Sequence, residues 1–151
     1  MHASLIILGS VSLILSVYSI ERIKRTPQEC QFIIWWAFPL GAFVWEDLLV
    51  YGFLHAVLAF FPLFLGKPEL WLTFFLIFWV VRSAGETLYQ FLQQFILPKH
   101  HPHYIDPYLG PLRKIFGNIS EQKCFILMQI SMQSITVLSL IGLYLIHTGN
   151  I

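Results

Sequence analysis

Residues 32–65 read FIIWWAFPLGAFVWEDLLVYGFLHAVLAFFPLFL, an apolar run of 34 residues that carries two acids and one histidine. A helix rises about 1.5 Å per residue, so one helix of this length would reach about 51 Å. The hydrocarbon core of a bilayer is only about 30 Å thick. The run must therefore contain a break, and Pro39 and Gly41 are the residues best suited to make it. We predict a membrane span over about residues 39–62, with Pro39 in its first turn.

The residues before Pro39 predict a segment that lies along the membrane surface. Trp35 and Trp36 are adjacent, and tryptophan is enriched at membrane–water interfaces. We therefore predict an interfacial segment over residues 28–38, before the second span.

The composition of the whole chain agrees with lipid as its solvent. Of 151 residues, 57% are hydrophobic and 11% are charged, and the mean hydropathy is +0.71. A soluble domain carries about 25% charged residues, so this chain has too few polar groups to cover a water-facing surface. A net charge of +1 provides no basic field for nucleic acid, and two cysteines are too few for a disulfide framework.

Three further apolar runs complete the predicted architecture, at residues 3–20, 69–97 and 122–147. Basic residues follow the first run rather than precede it, which favours an uncleaved span over a signal peptide. The sequence thus predicts an all-α integral membrane protein, a four-transmembrane-helix bundle in a single domain over residues 1–151.

The lysines and arginines of the predicted loops indicate the orientation of the bundle. Seven of them lie in the first and third loops or at their edges, and one, Lys67, lies in the second. Because such residues are enriched on the cytoplasmic side, both termini should face away from the cytoplasm. The seven are Arg22, Lys24, Arg25, Lys99, Arg113, Lys114 and Lys123.

Ionisable side chains within the spans are costly in a bilayer and are the candidate functional residues. Asp47, Tyr51 and His55 are spaced by four and share one helix face, whereas Glu46 points about 100° away. Arg82 and Glu86 are also four apart. Gln90, Gln129 and Gln133 add polarity at a similar predicted depth. These groups predict a shared interior pocket that opens to the cytoplasm, with Glu46, Asp47, His55 and Glu86 as catalytic groups and Tyr51, Arg82, Gln90, Gln129 and Gln133 as substrate-binding groups.

Each of these side chains also has a structural interpretation. Arg82 and Glu86 could neutralise each other, Asp47 and His55 could form a buried hydrogen-bonded set, and Glu46 could favour a helix start. The glutamines could hold helices together.

Three kinds of function fit this pattern, and the sequence does not decide whether the protein is an enzyme. The first is binding or conversion of a lipid-like or isoprenoid amphiphile, with a buried acid protonating an alkene or epoxide. The second is a proton- or ion-coupled carrier, and the third is a non-catalytic membrane partner subunit. The sequence identifies no cofactor. The expected partners are membrane lipids and an amphiphilic small molecule, and a homo-oligomer stays open.

A histidine cluster in the third loop is the candidate metal site. His100, His101 and His103 could bind zinc with a fourth ligand, but no matching Cys or His cluster occurs elsewhere. A solvated or headgroup-contacting loop is the other interpretation. We assign no metal on this basis.

Overall fold

The computed structural model describes residues 2–25, 34–95 and 112–149, and this part of the chain contains helices and turns but no strand. The α-helices are α1 (His2–Arg25), α2 (Trp45–Phe64), α3 (Leu70–Phe95), the short α4 (112–116) and α5 (Glu121–His147). A 3-10 helix, Trp35–Leu40, precedes α2.

Four helical segments of the described residues are long and apolar enough to cross a membrane. They contain α1, α2, α3 and α5, and α2 alone has 20 residues, which reach about 30 Å. The predicted all-helical class is confirmed, and the four segments are compatible with a multi-pass membrane protein.

The break in the long apolar run lies later than predicted. Pro39 is inside the 3-10 helix rather than in the first turn of α2, which begins six residues further on at Trp45. The cause is Gly41, whose φ of 73° places it in the left-handed region and ends the 3-10 helix. Ala42–Val44 then connect the 3-10 helix to α2, and Val44, in an extended conformation, is the N-cap of α2.

The end of α2 also differs from the prediction. Pro62 lies inside the last turn of the helix, which continues to Phe64. The stop is made by Gly66 at a φ of 67°. The N–H of Lys67 donates to the Pro62 carbonyl at 2.9 Å, and the N–H of Gly66 donates to the Leu63 carbonyl at 3.0 Å. This pair of bonds is a Schellman motif, which satisfies carbonyls that a helix end leaves without partners.

The chain divides into two compact units, Met1–Phe75 and Leu76–Ile151, with the boundary inside α3. In the first unit α1 and α2 are antiparallel, since Ser16 lies against Leu49 and Gly9 lies against Phe60. Small residues make this approach close, and those buried on α1 are Gly9, Ser12, Ser16 and Ser19.

The segment from Ile34 through the 3-10 helix to the first turn of α2 forms the apolar core of the first unit. The N–H of Ile34 donates to the Phe43 carbonyl at 2.8 Å, which closes the segment into a loop. Its buried side chains pack against Leu15 and Ile23 of α1. They are Ile34, Ala37, Ala42, Trp45 and Leu48.

In the second unit α3 and α5 are antiparallel and joined by polar side chains. The hydroxyls of Ser83 and Thr136 lie 2.7 Å apart, and the Gln94 amide donates to Gln129 at 2.7 Å. Hydrogen bonds of this kind are the usual links between helices in lipid, where burial of apolar surface gives no driving force.

The contact between α1 and α2 should depend on the missing side chain at Gly52. A Cβ there would lie 2.9 Å from the Ser12 carbonyl oxygen and 3.1 Å from Ser16 Cβ. We expect Gly52→Ala to lower the free energy of unfolding by about 1–3 kcal/mol, because the helices must separate. Gly85→Ala is the matched control, because nothing lies within 4 Å of a Cβ on that α3 glycine. Unfolding by SDS from mild-detergent micelles measures both, and equal stability of the two variants would contradict the close packing.

Candidate functional site

The two acids of α2 lie in its first turn, where the positive end of the helix dipole favours them. Glu46 is exposed and Asp47 is partly buried. The Asp47 carboxylate accepts a hydrogen bond of 3.1 Å from the backbone N–H of Phe43, just before the helix. Asp47 therefore fastens the loop to the start of α2, much as the acidic residue of a capping box does.

His55 lies two turns further along α2 and is 1% exposed. Its ring hydrogen-bonds to the backbone of Leu40, the last residue of the 3-10 helix, and lies 5.8 Å from the ring of Phe75. Tyr51, which lies between Asp47 and His55 on α2, packs against the apolar core of the first unit. The face predicted from the four-residue spacing is thus present, and it holds the 3-10 helix on α2.

Arg82 and Glu86 form an ion pair along α3, with each side chain 11% exposed. The second carboxylate oxygen of Glu86 accepts a long hydrogen bond of 3.5 Å from the amide of Gln90, which is fully buried. A lone charge in a bilayer interior is expensive, and this pairing within one helix provides the compensating charge. The sequence-based alternative of mutual neutralisation is therefore what the structure contains.

The hydrogen bonds continue from Gln90 towards the end of α3. The Gln94 amide donates to the Gln90 carbonyl at 3.2 Å and also to the Gln129 side chain on α5. We call Arg82, Glu86, Gln90, Gln94 and Gln129 the polar ladder. It runs from the middle of α3 to its last turn.

Two members of the α3–α5 contact were not among the predicted site residues. Ser83 is fully buried and donates to the Trp79 carbonyl, and its hydroxyl also meets Thr136. The sequence contains a pattern that indicates this face, because Ser83 and Thr87 are four residues apart and so lie on one side of the helix. In the structure Thr87 donates to the Ser83 carbonyl at 2.8 Å.

Gln133 differs from the other predicted substrate-binding residues, because it lies on the exposed side of α5. The buried face of that helix lies on another side and is formed by Cys124, Phe125, Met128, Met132 and Ser139.

The first unit also contains an apolar groove of about 310 Å³ between α1 and α2. Its lining is Leu13, Phe53, Ala56, Val57, Phe60, Phe61 and Phe64.

The predicted site residues thus fall into two groups, one in each unit. Glu46, Asp47, Tyr51 and His55 belong to the first unit, and Arg82, Glu86, Gln90, Gln129 and Gln133 belong to the second. A single pocket shared by both groups stays a prediction. Within the described residues no group of three metal-ligating side chains occurs, and the histidines at 100, 101 and 103 lie outside those residues.

The hydrogen-bonding role of Asp47 can be separated from its charge. Asp47→Ala should lower the free energy of unfolding by about 1–3 kcal/mol, because the buried Phe43 N–H loses its acceptor. Asp47→Asn should cost much less, since an amide oxygen also accepts. Glu46→Gln removes a charge one residue earlier without touching this bond and should be close to wild type. If unfolding measurements show that Asp47→Asn is as damaging as Asp47→Ala, the charge matters and the hydrogen bond does not.

Comparison with known proteins adds no family to these contacts. No protein-family model, no curated protein and no solved structure matches the chain. The hydrogen bonds, ion pair and exposed surfaces of the described residues therefore carry the functional proposal.

Proposed function

We propose that the chain is a non-catalytic, multi-pass membrane protein that acts by associating with other membrane components. The observation that supports this proposal most strongly is the engagement of the candidate catalytic groups in structural contacts. Asp47 accepts a hydrogen bond from the Phe43 N–H, His55 bonds to the Leu40 backbone, and Glu86 is paired with Arg82.

General acid–base chemistry makes different demands on such residues. A catalytic acid must reach the proton that it transfers, and its ionisation must be tuned to the working pH. Glu86 has a cation beside one carboxylate oxygen and an amide beside the other, so a substrate would have to displace them. The arrangement of Asp47 and Glu86 is that of residues that hold backbone and side chains in place.

The proposal includes the orientation expected from the loop charges. Four spans return the chain to the side from which it started, so both termini would share one side of the membrane. The basic last turn of α1 and the region before α5 would then face the cytoplasm, and the termini would face away. A reporter fused to the C-terminus that reads as cytoplasmic would overturn this orientation.

A second candidate function is binding of a lipid-like or isoprenoid amphiphile, and the groove between α1 and α2 favours it. Its lining is entirely hydrocarbon and suits an acyl or isoprenoid chain rather than a headgroup. Native mass spectrometry of protein extracted in mild detergent would test this candidate. Bound chain-bearing molecules that Val57→Trp excludes and Val50→Trp retains would support it, because only Val57 lines the groove, and an empty wild-type protein would count against it.

The ion pair of α3 offers the sharpest test between a structural and a catalytic role. Arg82→Ala should lower the free energy of unfolding by about 3–5 kcal/mol, because it strands the Glu86 carboxylate in a buried position. The double variant Arg82→Met/Glu86→Met removes both charges and should recover most of that loss, since well-packed apolar replacements of a buried pair are often neutral.

The same double variant should retain function. In a deletion strain of the source organism, we expect it to restore the wild-type phenotype in proportion to the folded protein in the membrane. A double variant that folds to wild-type amounts and fails to complement would show that the charges themselves act, and the non-catalytic proposal would fall.

A further inference from the structure

The exposed side of α5 carries a polar residue at the depth where lipid tolerates it least. Gln133 is one residue from the midpoint of α5 (Glu121–His147). At about 1.5 Å per residue it lies roughly 18–21 Å from either helix end, too far for a short side chain to reach a membrane surface. Among the described residues, no side chain or backbone group hydrogen-bonds to the Gln133 amide.

The neighbouring hydroxyls on the exposed side do not share this problem. Ser131 donates to the Leu127 carbonyl and Ser134 to the Ile130 carbonyl, each at 2.9 Å on the same helix. Such bonds satisfy serine in lipid without any partner chain. A glutamine amide has two donors and an acceptor, and on a lipid-facing surface they would all stay unsatisfied.

Six residues on the exposed side of α5, Gln133 among them, form a continuous stripe along most of the helix. They follow one another at alternating intervals of four and three residues, the spacing that keeps one face turned towards a partner helix in a left-handed pair. The apolar members are 39–65% exposed. We call these six residues the α5 seam: Ile126, Ile130, Gln133, Val137, Leu140 and Tyr144.

We propose that the α5 seam is a homodimer interface in which the Gln133 amides of two copies hydrogen-bond to each other near the bilayer midplane. This inference rests on the proposed function, since it names one component with which the protein associates. Copies inserted in the same direction present Gln133 at the same depth on both sides of a two-fold axis along the membrane normal.

A second copy is favoured over another protein by this symmetry. Glutamine is both donor and acceptor, so a parallel pair of identical helices satisfies both amides with no further residue. A different partner would have to carry its own polar group at the same depth. The central glutamine also fixes the axial register of the seam, as a single polar residue does in a coiled coil.

The test uses the full-length protein in bilayers, with Cys30→Ser and Cys124→Ala to remove the native thiols. Val137→Cys lies on the seam, and Leu138→Cys lies at a similar depth, is somewhat more exposed and points about 100° away. Under mild oxidation we expect disulfide-linked dimers from Val137→Cys and few from Leu138→Cys. Equal cross-linking at both positions, or none at either, would overturn the proposed seam.

The role of the amide is tested by the dimer dissociation constant, measured by fluorescence energy transfer on lipid dilution. Gln133→Leu should raise it about three- to thirtyfold, the range for one interhelical hydrogen bond in lipid. Gln133→Asn should retain most of the affinity, and Ser134→Leu should not change it. An unchanged constant for Gln133→Leu would overturn the inference.

The two proposals fail in different ways. A larger complex in native membranes that requires Gln133 but contains a single copy of this chain would overturn the homodimer and leave association as the function. A dimer that persists while the charge-free double variant folds without complementing would leave the interface standing and overturn the non-catalytic function.

Discussion

In hydrocarbon there is no water to complete a hydrogen bond, so each polar group on a spanning helix needs a partner within the protein or in a neighbouring chain. This constraint connects the separate contacts of the structure. Arg82 is near the middle of α3, and the carboxylate one turn away neutralises it. From there the polar ladder extends through Gln90 to the last turn of α3, where Gln94 reaches Gln129 on α5. The same constraint is why we propose a second copy of the chain at Gln133, which has no such contact among the described residues.

The constraint also shapes the break in front of α2. Where the chain leaves a helix, its backbone groups lose their regular hydrogen-bond partners. Here they bond to other backbone groups across the loop and to side chains. Ile34 bonds to Phe43 across the loop, Asp47 accepts from the Phe43 N–H, and the His55 ring bonds to the Leu40 backbone. Asp47 and His55, two of the predicted catalytic residues, therefore both bond to the irregular backbone of the first unit.

The sequence predicts the helices well because each one corresponds to a long run of apolar residues, and every residue of the run supports the same assignment. Runs of apolar residues set the position of α3 within a few residues and the start of α5 within one. The first and last residues of α2 are harder to predict. The prolines predict limits at Pro39 and Pro62, whereas the left-handed conformations of Gly41 and Gly66 decide where the helices end. Both glycines are visible in the sequence, but their φ values depend on the bonds that the flanking residues make.

The candidate site was predictable only in part, and the reason is geometric. Spacing by four correctly placed Asp47 and His55 on one face and joined Arg82 to Glu86. Spacing says nothing about a partner on the backbone, so the roles of Phe43 and Leu40 could not be foreseen. The sequence groups Gln133 with Gln129 because spacing alone does not show which face of α5 is buried. That face is set by packing around Met128 and Met132.

The polar ladder of α3 is either packed protein, as we propose, or the wall of a water-filled pocket. Thiol accessibility at Gln90 measures this directly, since that side chain is fully buried. In a background without native cysteines, Gln90→Cys in native membranes should resist a water-soluble thiol reagent until the protein is unfolded. Lys67→Cys, in the exposed turn between α2 and α3, should react at once. Labelling of Gln90→Cys at the rate of Lys67→Cys in folded protein would contradict the packed ladder and restore the open polar pocket.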